Sequence, residues 1–166
     1  MNIWVILVTT VDVGLCLVAL ALGFRSIYRY AFAGREPLRE SAFLYAALAA
    51  TLTGFGFPFH GVTPAILIGV ISCAVSIITL LARTRLNSRK HAPVVIFIIG
   101  LVATQYLLVF VTVAQAFTKV AALHALAPTL KEGPFLLTQG LTLVLFVTLA
   151  ALSVRQLTNH RFAAVP

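Results

Sequence analysis

The amino-acid sequence predicts an all-α membrane protein, a polytopic helical bundle with five transmembrane helices. Of the 166 residues, 61% are hydrophobic and only 10% are charged, whereas a soluble domain carries about 25% charged residues. Apolar runs long enough to cross a hydrocarbon core of roughly 30 Å recur along the chain. Because so few polar residues cannot cover a water-soluble surface, we expect one integral membrane domain over residues 1–166.

Proline, glycine and charged residues separate the apolar runs and set the expected boundaries. The predicted spans cover residues 3–24, 41–59, 63–82, 93–118 and 134–154. The segment between the last two spans is too polar to cross, and we expect a short interfacial helix over residues 120–126. The first span lacks the basic start and short apolar core of a cleaved signal peptide, so it should remain in the membrane.

The basic residues are unevenly distributed between the two sides of the predicted bundle. The first and third loops carry four Lys or Arg each and the tail carries two, so one side receives ten and the other side two. The positive-inside rule then places the N-terminus outside and the C-terminus in the cytoplasm. We therefore expect a multi-pass protein of a bacterial-type plasma membrane. The net charge of +8 lies at the ends of apolar runs, a pattern typical of contact with lipid headgroups and not of nucleic-acid binding.

Small and weakly polar residues mark the helix faces that are expected to pack together in lipid. Each of the five predicted spans has such a stripe, which includes Gly23, Thr53, Gly69, Gly100 and Gln139, respectively. These stripes predict the interfaces of the helical bundle.

Asp12 is the one acidic residue inside a predicted span. A charged Asp at the bilayer centre costs roughly 2.5–3.5 kcal/mol, and the sequence offers no basic residue at that depth. The acid is therefore neutral and hydrogen-bonded to Gln105 or to Ser and Thr side chains, or it binds a proton or cation, or it meets a basic partner on another subunit. We expect one polar layer at a helix interface or ion site, formed by Asp12, Gln105, Ser72, Thr9 and Thr104.

The motifs of common enzymes are absent from the sequence, including GxSxG, HExxH and a phosphate-binding glycine loop. This leaves an enzymatic role open but favours a small non-enzymatic transporter, channel or accessory subunit without a cofactor. We expect it to contact the lipid bilayer and to form a homo-oligomer or join other membrane subunits. The alternative is a redox, metal-binding or haem-binding protein that uses His60 and His124, although a usual zinc site needs three or four ligands.

The segment RYAF at residues 29–32, with Glu40 and Gly54 downstream, resembles part of the small membrane subunit of TRAP-type solute transporters. The resemblance covers at most residues 29–54 and implies an accessory transport subunit. The chain departs from the family pattern at residues 38–41, where LRES replaces an aromatic-Glu-Glu core. It also has five predicted spans where the family has four.

Overall fold

The computed structural model describes residues 3–33, 41–55, 64–86 and 91–162. These residues form helices and connecting turns without any strand, which confirms the predicted all-α class. The helices are α1 (Ile3–Ala31), α2 (Ala42–Gly54), α3 (Pro64–Thr84), α4 (His91–Lys119), α5 (Ala121–Leu126) and α6 (Gly133–Phe162).

Four of these helices are long and apolar enough to cross a membrane. The crossing segments in α1, α3, α4 and α6 are Thr10–Ala31, Ile66–Thr84, His91–Lys119 and Gly133–Leu157. The shortest has 19 residues, or about 28 Å at 1.5 Å per residue, close to the thickness of the hydrocarbon core. These helices indicate a multi-pass protein associated with a lipid bilayer.

Helix α2 is shorter than the span predicted over residues 41–59. Its 13 residues cover about 20 Å, and residues 56–59 of the prediction lie outside the described part of the chain. The helix is apolar along its length, as the sequence predicted, but it does not reach membrane-crossing length by itself.

Helix α4 lies against α1, α3 and α6, and its neighbours run antiparallel to it. On α1, Gly23 faces Gln105, and the ring of Tyr30 packs edge-on against Phe97 with centroids 6.5 Å apart. From the first of these contacts to the second, the residue numbers rise on α1 and fall on α4, so the two helices are antiparallel. Helix α3 also runs antiparallel to α4, because a short connection joins the two helices and Thr79 lies against Gly100 close to it.

Helix α6 also runs antiparallel to α4. Its Phe146 packs against Tyr106 of α4 with ring centroids 5.9 Å apart. Gln139, which precedes Phe146 on α6, donates a hydrogen bond of 3.1 Å to the carbonyl of Phe110, which follows Tyr106 on α4. Helices α1, α3 and α6 therefore point one way and α4 points the other way.

Helix α2 pairs with α1 in the antiparallel direction. Thr53 near its end is hydrogen-bonded to Asp12, while Phe43 near its start lies beside Gly23. The chain thus enters α2 at the end of the bundle where α1 finishes and leaves it near the start of α1.

The two ends of the bundle differ in charge. At the basic end, α1, α3 and α6 finish and α4 begins, and six arginines within the described residues lie there: Arg25, Arg29, Arg83, Arg85, Arg155 and Arg161. At the opposite end, here called the loop end, lie the start of α1, the end of α2 and residues 120–132. The short helix α5 at this end confirms the helix predicted over residues 120–126 within one residue.

Two helices extend beyond the predicted ends of their spans. Helix α1 continues to Ala31 and α6 to Phe162, where the predicted spans stop at residues 24 and 154. The predictions followed hydropathy, whereas a helix can continue through charged residues until the backbone is interrupted. Neither extension contains Gly or Pro after the predicted boundary.

Candidate functional site at the α1–α2 interface

Asp12 lies half-buried on the face of α1 that meets α2. The Thr53 hydroxyl lies 2.8 Å from Asp12 Oδ1, a hydrogen bond between residues 41 positions apart in the chain. The antiparallel pairing of the two helices brings these side chains to the same level. An acidic side chain in an apolar helix is thus satisfied by a neighbouring helix.

The Thr53 hydroxyl is also 2.9 Å from the carbonyl oxygen of Ala50 in its own helix. A hydroxyl has one proton to donate, so it donates either to Asp12 or to Ala50. When Asp12 is ionised, Thr53 donates to the carboxylate. When Asp12 is protonated, it can donate to Thr53, which then donates to Ala50. The same positions of the heavy atoms serve both charge states.

Part of the α1 surface near Asp12 is exposed. Val11 and Val13 are exposed, and a Cβ atom added at Gly14 would meet nothing within 4 Å. Within the described ranges, the side-chain hydrogen bond to Asp12 comes from Thr53. Among the described residues, the carboxyl group is thus bonded to Thr53 beside an exposed part of the α1 surface.

Gln105 does not share a layer with Asp12. Its side chain is 0% exposed, and its Nε2 donates a hydrogen bond of 3.1 Å to the carbonyl of Leu20. Leu20 lies eight residues after Asp12, or about 12 Å further along α1. The expected single layer was therefore wrong for this pair. It assumed that Asp12 lies at mid-membrane, whereas α1 extends to Ala31 and pairs with α4 closer to its own basic end.

The remaining predicted site residues are dispersed. Thr104 is 3% exposed and donates to the carbonyl of Gly100 in its own helix, 2.8 Å away. Ser72 is half-buried in α3. Thr9 belongs to α1, but its side chain lies outside the described part of the structure. The structure thus joins Asp12 to Thr53, a residue that the sequence placed only on a packing face.

The candidate histidines do not form a described metal site. His124 is exposed on α5, and His60 lies outside the described residues. Within the described ranges, no three His, Cys, Asp or Glu side chains are grouped closely enough to hold a metal ion.

A second acidic residue, Glu132, accepts several hydrogen bonds in the loop before α6. Glu132 Oε1 accepts hydrogen bonds from the hydroxyl of Thr129 at 2.8 Å and from its backbone N–H at 3.1 Å. Its Oε2 accepts one from the backbone N–H of Lys131 at 3.0 Å. The hydrogen bond from the Thr129 side chain, with these backbone bonds, holds the pKa of Glu132 below its usual value. Nearby Leu130 has a positive φ of 60°, so the loop makes a tight turn before α6.

Comparison of the chain with protein-family models, with curated proteins and with solved structures finds no match in any of the three.

Proposed function

We propose that the chain is a small non-enzymatic membrane protein of the transport class, either a transporter or channel or an accessory subunit of one. Asp12 is the group that takes up a proton or cation. The observation that carries this proposal is the hydrogen bond between Asp12 and Thr53 at the interface of two apolar helices. An ionisable side chain inside a membrane span is costly, and such residues are commonly functional.

The two proton positions of the Thr53 hydroxyl support this role for Asp12. An acid with a purely structural role needs hydrogen-bond partners in only one of its two protonation states. Asp12 and Thr53 can form a hydrogen bond whether Asp12 is protonated or ionised. Gain and loss of a proton can therefore occur without leaving a buried donor or acceptor unpaired, which would cost about 1–3 kcal/mol.

We further propose five crossings, with the N-terminus outside and the basic end in the cytoplasm of a bacterial-type plasma membrane. Helices α1 and α3 run in the same direction, so the chain between them must return across the bundle. Helix α2 runs antiparallel to α1 and supplies the described part of this return. The excess of basic residues at one end supports the orientation.

The exposed α1 surface near Asp12 supports assembly with a second chain, either another copy or another membrane subunit. A carboxyl group that faces lipid is unfavourable, and the adjacent α1 surface is unoccupied at Gly14. A helix that packs along this surface would bury Asp12 further and could supply a basic partner for it.

Proton uptake by proteoliposomes at a clamped membrane potential tests the proposal, with a pH-sensitive dye inside. We expect Asp12→Asn to abolish pH-dependent flux and Thr53→Val to reduce it. The matched control is Thr51→Val, because Thr51 is also half-buried on α2 but donates only to the carbonyl of Ala47, 2.8 Å away. Unchanged flux in folded Asp12→Asn would show that the acid is structural.

The alternative of a redox or metal-binding protein is not favoured by any observation among the described residues. A visible spectrum and metal analysis of purified protein test it directly. A haem absorption band, or stoichiometric metal lost in His60→Ala, would replace the transport proposal.

A further inference from the structure

Two polar atoms in the middle of the bundle have no hydrogen-bond partner among the described residues. They are the hydroxyl of Ser76 on α3 and the amide oxygen Oε1 of Gln105 on α4. The two side chains are 1% and 0% exposed, respectively. Each residue lies near the centre of its crossing segment, Ile66–Thr84 or His91–Lys119. Buried polar groups are nearly always hydrogen-bonded, so these two atoms indicate a small polar ligand between the helices.

The contact between α3 and α4 brings the two residues to similar heights in the bundle. Thr79 lies against Gly100, and the two helices run antiparallel. Ser76, three residues before Thr79, therefore lies at nearly the height of Thr104, four residues after Gly100. Gln105 is the next residue of α4, so its height differs from that of Ser76 by two residues, or about 3 Å.

Water has the chemistry that these two atoms require. The amide oxygen of Gln105 only accepts hydrogen bonds, whereas the Ser76 hydroxyl can donate one. A water molecule, or a short chain of them, can accept from Ser76 and donate to Gln105. Water inside proteins typically binds polar groups that lack another partner. Because both side chains are neutral, a bound cation would bring a net charge to the middle of the membrane, which is costly.

The same face of α3 leads from this position toward Asp12. Its next polar residue in that direction is the half-buried Ser72. Gly69, three residues before Ser72, lies against Phe55 directly after α2. Helices α2 and α3 run antiparallel, since α1 is antiparallel to α2 and parallel to α3. Ser72 is therefore within one residue of the height of Thr53, whose hydroxyl is bonded to Asp12.

We propose that water bound between Ser76 and Gln105 carries protons between Asp12 and the middle of the bundle. Ser72 holds the water nearest to the pair formed by Asp12 and Thr53. This role of the water depends on the proposed uptake of a proton by Asp12. When Asp12 releases its proton, each water oxygen accepts one proton and passes another on, so one proton moves and no other covalent bond changes. The Thr53 hydroxyl then donates to the carboxylate that remains.

Proton uptake by proteoliposomes of the full chain tests the route. Ser76→Ala removes a hydroxyl that has no described protein partner, so the variant should be as stable as the wild type. We expect its uptake to be about tenfold slower, which corresponds to the loss of one hydrogen bond in the transfer step. The matched control is Ser153→Ala, which should keep the wild-type rate. Ser153 is 0% exposed and its hydroxyl is also unpaired, but it lies on α6.

Water–protein nuclear Overhauser spectra in micelles detect the bound water independently of proton flux. We expect a cross-peak from water to the side-chain amide protons of Gln105. This cross-peak should weaken in Ser76→Ala and remain unchanged in Ser153→Ala. Its absence from the wild-type protein would overturn the water site.

Failure of the route is distinguishable from failure of the proton site. If Asp12→Asn abolishes uptake while Ser76→Ala takes up protons as fast as Ser153→Ala, Asp12 remains the proton site and the route along α3 is wrong. If folded Asp12→Asn takes up protons as fast as the wild type, the proton site and the route are both wrong.

Discussion

Gln105 of α4 lies directly against Gly23 of α1, and its amide donates to the carbonyl of Leu20 on that helix. A Cβ atom at position 23 would collide with the Gln105 amide and with the ring of Phe43. The missing side chain therefore lets a fully buried polar group cross between two helices. Close approach at small residues is a main source of helix association in lipid, so this contact is expected to contribute strongly to the stability of the bundle.

Gly23→Ala should lower the free energy of unfolding by about 1–3 kcal/mol, the usual cost of adding a methyl group to a packed interface. Unfolding in mixed micelles with increasing SDS measures it. The control is Gly14→Ala on the same helix, where the added methyl group meets nothing within 4 Å. Because Ala is the better helix former, the control should be neutral or slightly stabilising. Equal effects at both positions would contradict the close contact.

Thr53→Val should destabilise the protein more than Thr51→Val, by about 0.5–1.5 kcal/mol, the net value of one hydrogen bond. Each variant removes one threonine hydroxyl from α2. The Thr53 hydroxyl is bonded to Asp12, whereas the Thr51 hydroxyl is bonded to the carbonyl of Ala47. In an Asp12→Leu background the difference should disappear, because no carboxyl group remains to be satisfied. If the difference in stability between the two variants persists without Asp12, it arises within α2 and not from the hydrogen bond to Asp12.

The interfaces of the bundle were more predictable than its site. Gly23, Gly69 and Gly100 were expected at helix contacts, because small residues at helical spacing carry a local signal. Gly23 and Gly100 each face a side chain of another helix, and Gly69 faces Phe55 directly after α2. The partner of Asp12 depends on the register between α1 and α2, which hydropathy does not encode. The sequence therefore predicted that Asp12 needs a partner but not that the partner is Thr53.

The hydrogen bonds around Glu132 should be lost in acid. The pKa of Glu132 is lowered from 4.5 chiefly by the hydrogen bond from the Thr129 side chain, so this stabilisation is fully present above pH 4.5 and disappears as the pH falls through the lower, folded value. The amide resonances of Thr129 and Lys131 should titrate with a midpoint below 4.5 in micelles. Thr129→Val should raise that midpoint, and Glu132→Gln should abolish the transition. A midpoint at 4.5 in the wild type would mean that the carboxylate is solvated.

Cysteine labelling should distinguish five crossings from four. The native Cys16 and Cys73 are first replaced, and single cysteines are introduced as Ala33→Cys, His60→Cys and His124→Cys. Because α1 and α3 are parallel, we expect position 60 to share its side with position 124 and to lie opposite position 33. An impermeant maleimide should therefore label positions 60 and 124 in right-side-out vesicles and position 33 in inverted vesicles. If positions 33 and 60 label from the same side, α2 does not complete a crossing. The directions of α1 and α3 in the bundle would then also have to be revised, since two parallel crossings cannot be joined without a return.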